Sequence, residues 1–137
     1  MIALPLMLAL QVSTPALDAE AREHNCTEPM TQMDMNACEE IEFQRADLEL
    51  NQVWAEAIAQ AQRYDRGLDR TTDTRAGYET VLRAAQRAWL TFRDQHCTWQ
   101  GYQDARGGSM EPMSYSACRA TVTRARIEQL RGDRTER

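Results

Sequence analysis

An all-α protein is expected from this chain, a three-helix up-down-up bundle stapled by two disulfides. Three observations predict it. Apolar residues recur at helical spacing through three long stretches, and no part of the 137 residues shows the alternation of a strand. Glycine and proline are sparse, six and four residues, and none falls between residues 32 and 63. The four cysteines, Cys26, Cys38, Cys97 and Cys118, stand where such a bundle would gather them at one end. A hydrophobic content of 42% over this length suits one domain with a modest core.

Taken in order, Met1 to Leu10 form a short apolar run, too short to span a bilayer and of the length of a signal-peptide core. Thr14, Pro15 and Ala16 offer small residues for cleavage, so residues 1–16 are read as a signal peptide and the mature chain as starting near Leu17. Residues 17–30 are charged and aperiodic, and a mobile N-terminal arm is expected there. Cys26 is preceded by Glu23, His24 and Asn25, not by the triplet of a lipid anchor, so a soluble product is expected in the periplasm or outside the cell.

The helical domain is assigned to residues 31–132. Thr31, with Asp34 three residues on, has the form of a helix N-cap. The first helix should run to about Arg63 with Phe43, Asp47, Leu50, Trp54, Ile58 and Ala61 inward and Asn51 beside them. Tyr64 to Asp73 is polar and contains Gly67, a connection. Asp73 or Thr74 should cap a second helix ending near Trp99, with Leu82, Ala85, Trp89, Phe92 and His96 on one side and Gln86 and Arg93 flanking it. Gln100 to Met113 reads as one irregular segment, because Gly107 and Gly108 permit positive φ and Pro112 resists helix. A third helix should span about Ser114 to Leu130, with Ala117, Ala120, Thr121, Arg124, Ile127 and Leu130 inward, and residues 133–137 should be a tail.

An even cysteine count in a small exported chain reads as two disulfides. All three pairings remain open in an up-down-up bundle; the local pairs Cys26–Cys38 and Cys97–Cys118 are favoured. The second would close a loop of about twenty residues, contributing roughly 3 kcal/mol. No C-x-x-C pair occurs, and His24 and His96 lack ligand spacing, so no metal and no cofactor are expected.

Charge is unevenly spread. Up to Gln62 there are eleven acids and two arginines, a net of −9; from Arg63 there are ten acids and fourteen arginines, a net of +4. The plainer reading is a solvated first helix, and the sharper one is a negative face that attracts a cationic partner. No basic stripe with interleaved aromatics suggests nucleic acid. Asp47, Asn51, Gln86, Arg93 and Arg124 lie on or beside the inward stripes, with Asp47 the expected partner of Arg93. A carboxylate beside arginine is a poor proton donor near neutrality, and no nucleophile–base pair accompanies it. A buried structural network is therefore expected, and no enzyme. Trp99 and Tyr102 fall where the second helix meets the irregular loop, and exposed aromatics there suit a contact surface.

The ordered set Cys26-x11-Cys38, A-D-L-E-L-N at Ala46 to Asn51, A-Q-R-A-W-L-T-F-R-D-Q-H-C at Ala85 to Cys97, Gly107-Gly108-Ser109, then Cys118, Thr121, Arg124 and Leu130 resembles the lysozyme-inhibitor LprI-like family of exported bacterial proteins. The resemblance covers Cys26 to Leu130. It implies a small, helical, disulfide-linked envelope protein, in some members an inhibitor of lysozyme. The family's founding inhibitor is a lipoprotein, and the anchor cysteine has no counterpart here. The expected partner is a cationic lysozyme, met by the acidic face and by the disulfide-flanked loop at Gly107, Gly108 and Ser109 with Trp99 and Tyr102. The alternative is an envelope structural or interaction module with no enzyme target.

Overall fold

The computed structural model describes residues 12–135, with side chains as far as Gly132. It is all-helical over the described residues: α1 Thr14–Glu23, α2 Gln32–Arg66, α3 Tyr78–Ala105 and α4 Glu111–Thr135. Four helices replace the expected three, because α1 runs through the first half of the stretch read as a mobile arm. Ser13 caps it, Pro15 sits in its first turn, and Leu17, 1% exposed, anchors it. Arg45 of α2 donates to Asp18 at 2.7 Å and fixes its orientation. One buried leucine in ten residues makes no periodic signal, which is why the docking was not legible. The expected cleavage boundary at residues 16 and 17 falls inside α1, and the apolar run to residue 11 lies outside the described residues.

Helix α2 begins as read from the sequence. The Asp34 N–H donates to Thr31 Oγ1 at 3.0 Å, and the Thr31 hydroxyl donates back to Asp34 Oδ2 at 2.7 Å. Its 35 residues make it about 52 Å long, the spine on which the rest is laid. Helix α3 starts later than expected, at Tyr78, because its cap comes from another helix. Asp65, near the end of α2, accepts from Tyr78 N–H at 2.6 Å and Glu79 N–H at 3.1 Å. Gly77 is needed for that approach, since a Cβ there would lie 2.7 Å from Asp65 Oδ1. Asp73 instead clamps Arg75 within the connection.

The irregular segment expected at 100–113 is mostly helix. Helix α3 continues to Ala105 and α4 starts at Glu111, with Pro112 in a first turn where its missing N–H costs nothing. Helix α4 packs along both α2 and α3, whereas α2 and α3 meet over a shorter stretch and α1 packs on α2. The main core joins Leu50, Val53 and Ala57 to Ile127 and Leu130, with Trp54, Leu82 and Trp89 packed against it.

The expected polar network does not close as one unit. Arg93 is inward, only 7% exposed, between the rings of Phe43 and Trp89 at 5.1 and 5.2 Å. Its Nε donates to the adjacent Asp94 at 2.9 Å, while Asp47, part-exposed, lies 3.8 Å from Nη1. Gln86 is buried but accepts from Arg126 Nε at 2.9 Å, not from Arg93. Arg124 is outside and pairs with Glu42 at 2.8 Å, and Asn51 is exposed. Among the expected core residues Phe92 is instead exposed, at 56%, as are Ala85 and Thr121.

The charge asymmetry has an internal destination. Arg119, Arg124 and Arg131 of α4 reach across to Glu40, Glu42 and Glu49 of α2 at 2.6, 2.8 and 2.9 Å. This ladder takes up three carboxylates of the negative face expected to attract a cation. The face is correspondingly weaker than the sequence count implies. Among the described residues the remaining carboxylates without an ion pair include Glu20, Glu23, Glu28 and Glu39.

Candidate protein-interaction site

The end of the bundle where α2 and α4 begin and α3 finishes carries both disulfides. Cys26 pairs with Cys38 and Cys97 with Cys118, at Cα separations of 5.5 and 5.4 Å. The first bond ties the turn after α1 to α2. There Asn25 takes a positive φ of 49°, a conformation asparagine tolerates because its short amide can bond locally; its Nδ2 donates to Glu28 O at 3.0 Å. The second bond joins α3 to α4 behind the loop at residues 106–110.

That loop is short and heavily tied. Gly107 has φ +76°, and its N–H donates to Glu111 Oε2 at 2.6 Å. Gly108 N–H donates to Ala105 O at 2.7 Å, and Asn36 Nδ2 of α2 donates to the Ser109 carbonyl at 3.0 Å. The Ser114 hydroxyl donates to Asp104, and so does Gln100 Nε2 at 3.2 Å. These two donors, Ser114 first, hold the Asp104 carboxyl below its usual range. On the far side, His24 and then Thr31 do the same for Asp34, with His24 Nδ1 3.0 Å from the carboxylate.

Onto this braced end the chain places apolar surface. Trp99 and Tyr102 are 54% and 44% exposed, and the Arg106 guanidinium lies 4.5 Å over the Tyr102 ring. Tyr102, Gly107 and Gly108 line one shallow cleft of about 500 Å³, floored by Gly101 and closed by Pro112 and Tyr115. Trp99 stands outside that cleft and continues a row with His96 and Phe92, ring centroids 5.7 and 5.2 Å apart. Ser109 contributes its carbonyl to bracing. Of the five residues expected to form the contact surface, three therefore share the cleft, Trp99 borders it, and Ser109 supports it.

Sequence reasoning missed the methionines. Met30 and Met33 are exposed at the start of α2, and Met110 is exposed in the loop. Gln32 Nε2 lies 3.6 Å from Met113 Sδ and Asn36 binds Ser109, so the first turn of α2 abuts the loop. Flexible thioethers at an exposed end suit adaptive packing against a partner. Their only sequence signal was a high methionine count, which any core could have absorbed.

A larger groove, about 1160 Å³, opens at the opposite end between the second half of α2, the first half of α3 and the second half of α4. Ala57, Ala61 and Ala85 leave it room, and Tyr64, Tyr78 and Leu130 form part of its walls. Among the described residues no three His, Cys, Asp or Glu side chains converge as a metal site would require, and no helix is long and apolar enough to cross a membrane.

The class defined by fold and surface is a small helical protein, stapled by two disulfides, with an apolar loop-bearing end. The chain belongs to the family described as lysozyme inhibitor LprI, whose model matches residues 23–130. It is also similar to an uncharacterized protein of Rhizobium meliloti (strain 1021), 38% identical over 129 residues that cover 94% of this chain and 92% of that one. No solved structure matches it.

Proposed function

We propose that the protein is exported and inhibits a lysozyme by docking its disulfide-stapled end over the enzyme's cleft. It acts by binding, without catalysis and without a cofactor. Membership of the lysozyme inhibitor family supports the target class. The observation that carries the binding mode is the apolar surface of Trp99 and Tyr102, at the end of α3, and of Met110, on the adjoining loop held by a disulfide behind it and by the hydrogen bonds of Gly107, Gly108 and Ser109. A loop already fixed in place loses little entropy on binding, so its contact surface is converted into affinity efficiently. Glu20, Glu23 and Glu28 supply acidic charge near the same end, enough to favour a cationic enzyme through long-range attraction. The two disulfides and the apolar run at Met1 to Leu10 support an oxidising compartment, the periplasm or the medium.

The test is muramidase activity of a C-type lysozyme titrated with the oxidised protein at low and physiological salt. Dose-dependent inhibition, weaker in salt, is expected. Tyr102→Ala and Met110→Ala should each weaken inhibition about tenfold, since an anchor side chain at an interface contributes about 1–2 kcal/mol. A deletion of Gly107 to Ser109 that keeps the helical spectrum should abolish it. Full inhibition by all three variants would sink the loop assignment. No inhibition by a correctly folded wild type would leave the envelope-module reading in its place.

A further inference from the structure

The arginines in the helix halves that carry the disulfides are taken by the chain's own acids. Arg45 pairs with Asp18, Arg93 with Asp94 and Arg119 with Glu40. Arg106 is different. It follows α3 as the C-cap, with φ −50° and ψ 118°, and is the one charged residue of the loop at 106–110. Its side chain is exposed, and among the described residues its guanidinium has one contact, the Tyr102 ring 4.5 Å away. The acids nearest it along the chain serve other donors. Asp104 accepts from the Ser114 hydroxyl and from Gln100, and Glu111 from the Gly107 N–H at 2.6 Å. Arg22, in the last turn of α1, is also without an ion pair among the described residues, but no ring holds it.

An unpaired arginine is ordinary at a surface; one laid over an aromatic ring at the edge of a cleft is already oriented. Tyr102 lines the 500 Å³ cleft together with Gly107 and Gly108, so the guanidinium stands at its rim. The surrounding charge has the opposite sign. Glu23 and Glu28 flank the turn that Cys26–Cys38 ties to α2, and α2 abuts the loop through Asn36 and Ser109. A uniformly cationic partner would be repelled by Arg106. A cationic enzyme whose cleft holds two carboxyl groups, about 5 Å apart in a retaining glycosidase, complements both signs.

We propose that Arg106 enters the lysozyme cleft and pairs with its catalytic carboxylates, so that inhibition acts at the reacting groups and not only at the entrance. This rests on the inhibitor reading above and names the residue that reaches the enzyme's chemistry. A guanidinium offers a planar fork that takes a carboxylate bidentately, and its two edges can serve two carboxylates at once. Tyr102 is then a positioning residue, which holds the fork in place before the enzyme arrives and lowers the entropy lost on binding.

A double-mutant cycle read by titration calorimetry tests this. The oxidised protein and its Arg106→Gln variant, checked by circular dichroism, are each titrated into hen-type lysozyme and into two variants of that enzyme. Each enzyme variant has one of the two cleft carboxyls changed to the amide. Arg106→Gln should raise the dissociation constant roughly thirtyfold against the unmodified enzyme, and less than about threefold against at least one amide variant. Arg106→Lys, a charge without the fork, should recover only part of the loss. An equal loss against all three enzymes would overturn the assignment, because Arg106 would then be touching something other than those carboxylates. A wild type that inhibits, with Arg106→Gln its equal, would overturn this inference and leave the inhibitor reading standing. A folded wild type that binds none of the three enzymes would overturn both.

Discussion

The two ends of the bundle are built on opposite principles. At the stapled end two disulfides, the Asn36–Ser109 bond and the short loop at 106–110 leave little freedom, and the apolar groups there point outward. At the open end the helices diverge around alanines, the chain turns through residues 67–77, and a groove remains. The stapled end is held by covalent bonds and named polar contacts, and the open end by the packing of Trp54, Leu82 and Trp89 onto the core. A chain this small has few apolar residues to spend. Covalent closure at one end releases Trp99, Tyr102 and three methionines from core duty, and so leaves them available as surface.

Breaking the packing that holds the open end should have the largest effect. Ile127 is 1% exposed at the centre of the main core, and Ile127→Ala should cost about 3–4 kcal/mol, read from the urea midpoint. Breaking the stapled end should come close behind. Replacing Cys97 and Cys118 together by alanine removes a cross-link spanning 21 residues and should cost about 3 kcal/mol. The two losses should differ in kind. Amide exchange should accelerate around residues 106–110 in the double alanine variant, and globally in Ile127→Ala.

Arg93 lies between the ends and sharpens the contrast. Its Nη1 is buried without a hydrogen bond among the described residues, while its guanidinium faces two rings. Asp47 retains access to water, so removing the arginine does not strand a buried charge. Arg93→Ala should therefore cost about 2 kcal/mol through lost packing and cation–π contact, and Arg93→Met less than 1 kcal/mol. A loss of 4 kcal/mol or more in thermal melts would show that the Asp47 pair matters more than its 3.8 Å separation indicates. Asp65 gives a smaller effect, confined to the open end. Asp65→Ala uncaps α3 and should cost about 1 kcal/mol, with fraying detected first at Tyr78 and Glu79.

The helices were legible because 3.6-residue periodicity is strong over stretches of 25 to 35 residues, and the cap at Thr31 was legible because it is local, whereas α2 runs on to Arg66, three residues beyond its expected end at Arg63. What periodicity could not do was choose between two stripes on one helix. On α3 the row with Phe92 and the row with Arg93 both carry large side chains, and hydrophobicity alone favours the aromatic as core. The bundle buries Arg93 instead, because its long stem fills the space between two rings while its head reaches Asp94. On α4 the same ambiguity set Thr121 and Arg124 inward, whereas Ser116 and Thr123 are the buried residues and Arg124 pairs with Glu42 at the surface. The cap from Asp65 and the arginine ladder to α2 join residues far apart in sequence, and single-chain patterns carry no record of such pairs. At the site, the loop and its two aromatics could be read from Gly107, Gly108 and the helix end, whereas the methionines and the cleft depend on tertiary placement.

Acid should test both ends at once, with an effect smaller than any of the substitutions. Asp34 at the stapled end is held below its ordinary value of 3.8, chiefly by the hydrogen bond from His24 and then by Thr31. Glu79 at the open end is held below 4.5, chiefly by Arg83. A carboxyl with a depressed folded-state pKa binds its proton more readily in the unfolded chain. Its contribution is complete above the ordinary value and is lost as pH falls through the folded-state value. Thermal midpoints should thus be flat with respect to these carboxyls from pH 7 to about pH 5 and decline below about pH 4. Asp34→Asn should shallow that decline through the stapled end, and Glu79→Gln through the open end. Because the groups are 45 residues apart in sequence and share no hydrogen-bond partner among the described residues, the two effects should add in the double variant. Non-additivity would mean that the two ends are coupled through α2, and that the separation between a covalently braced end and a packed one is not a thermodynamic boundary.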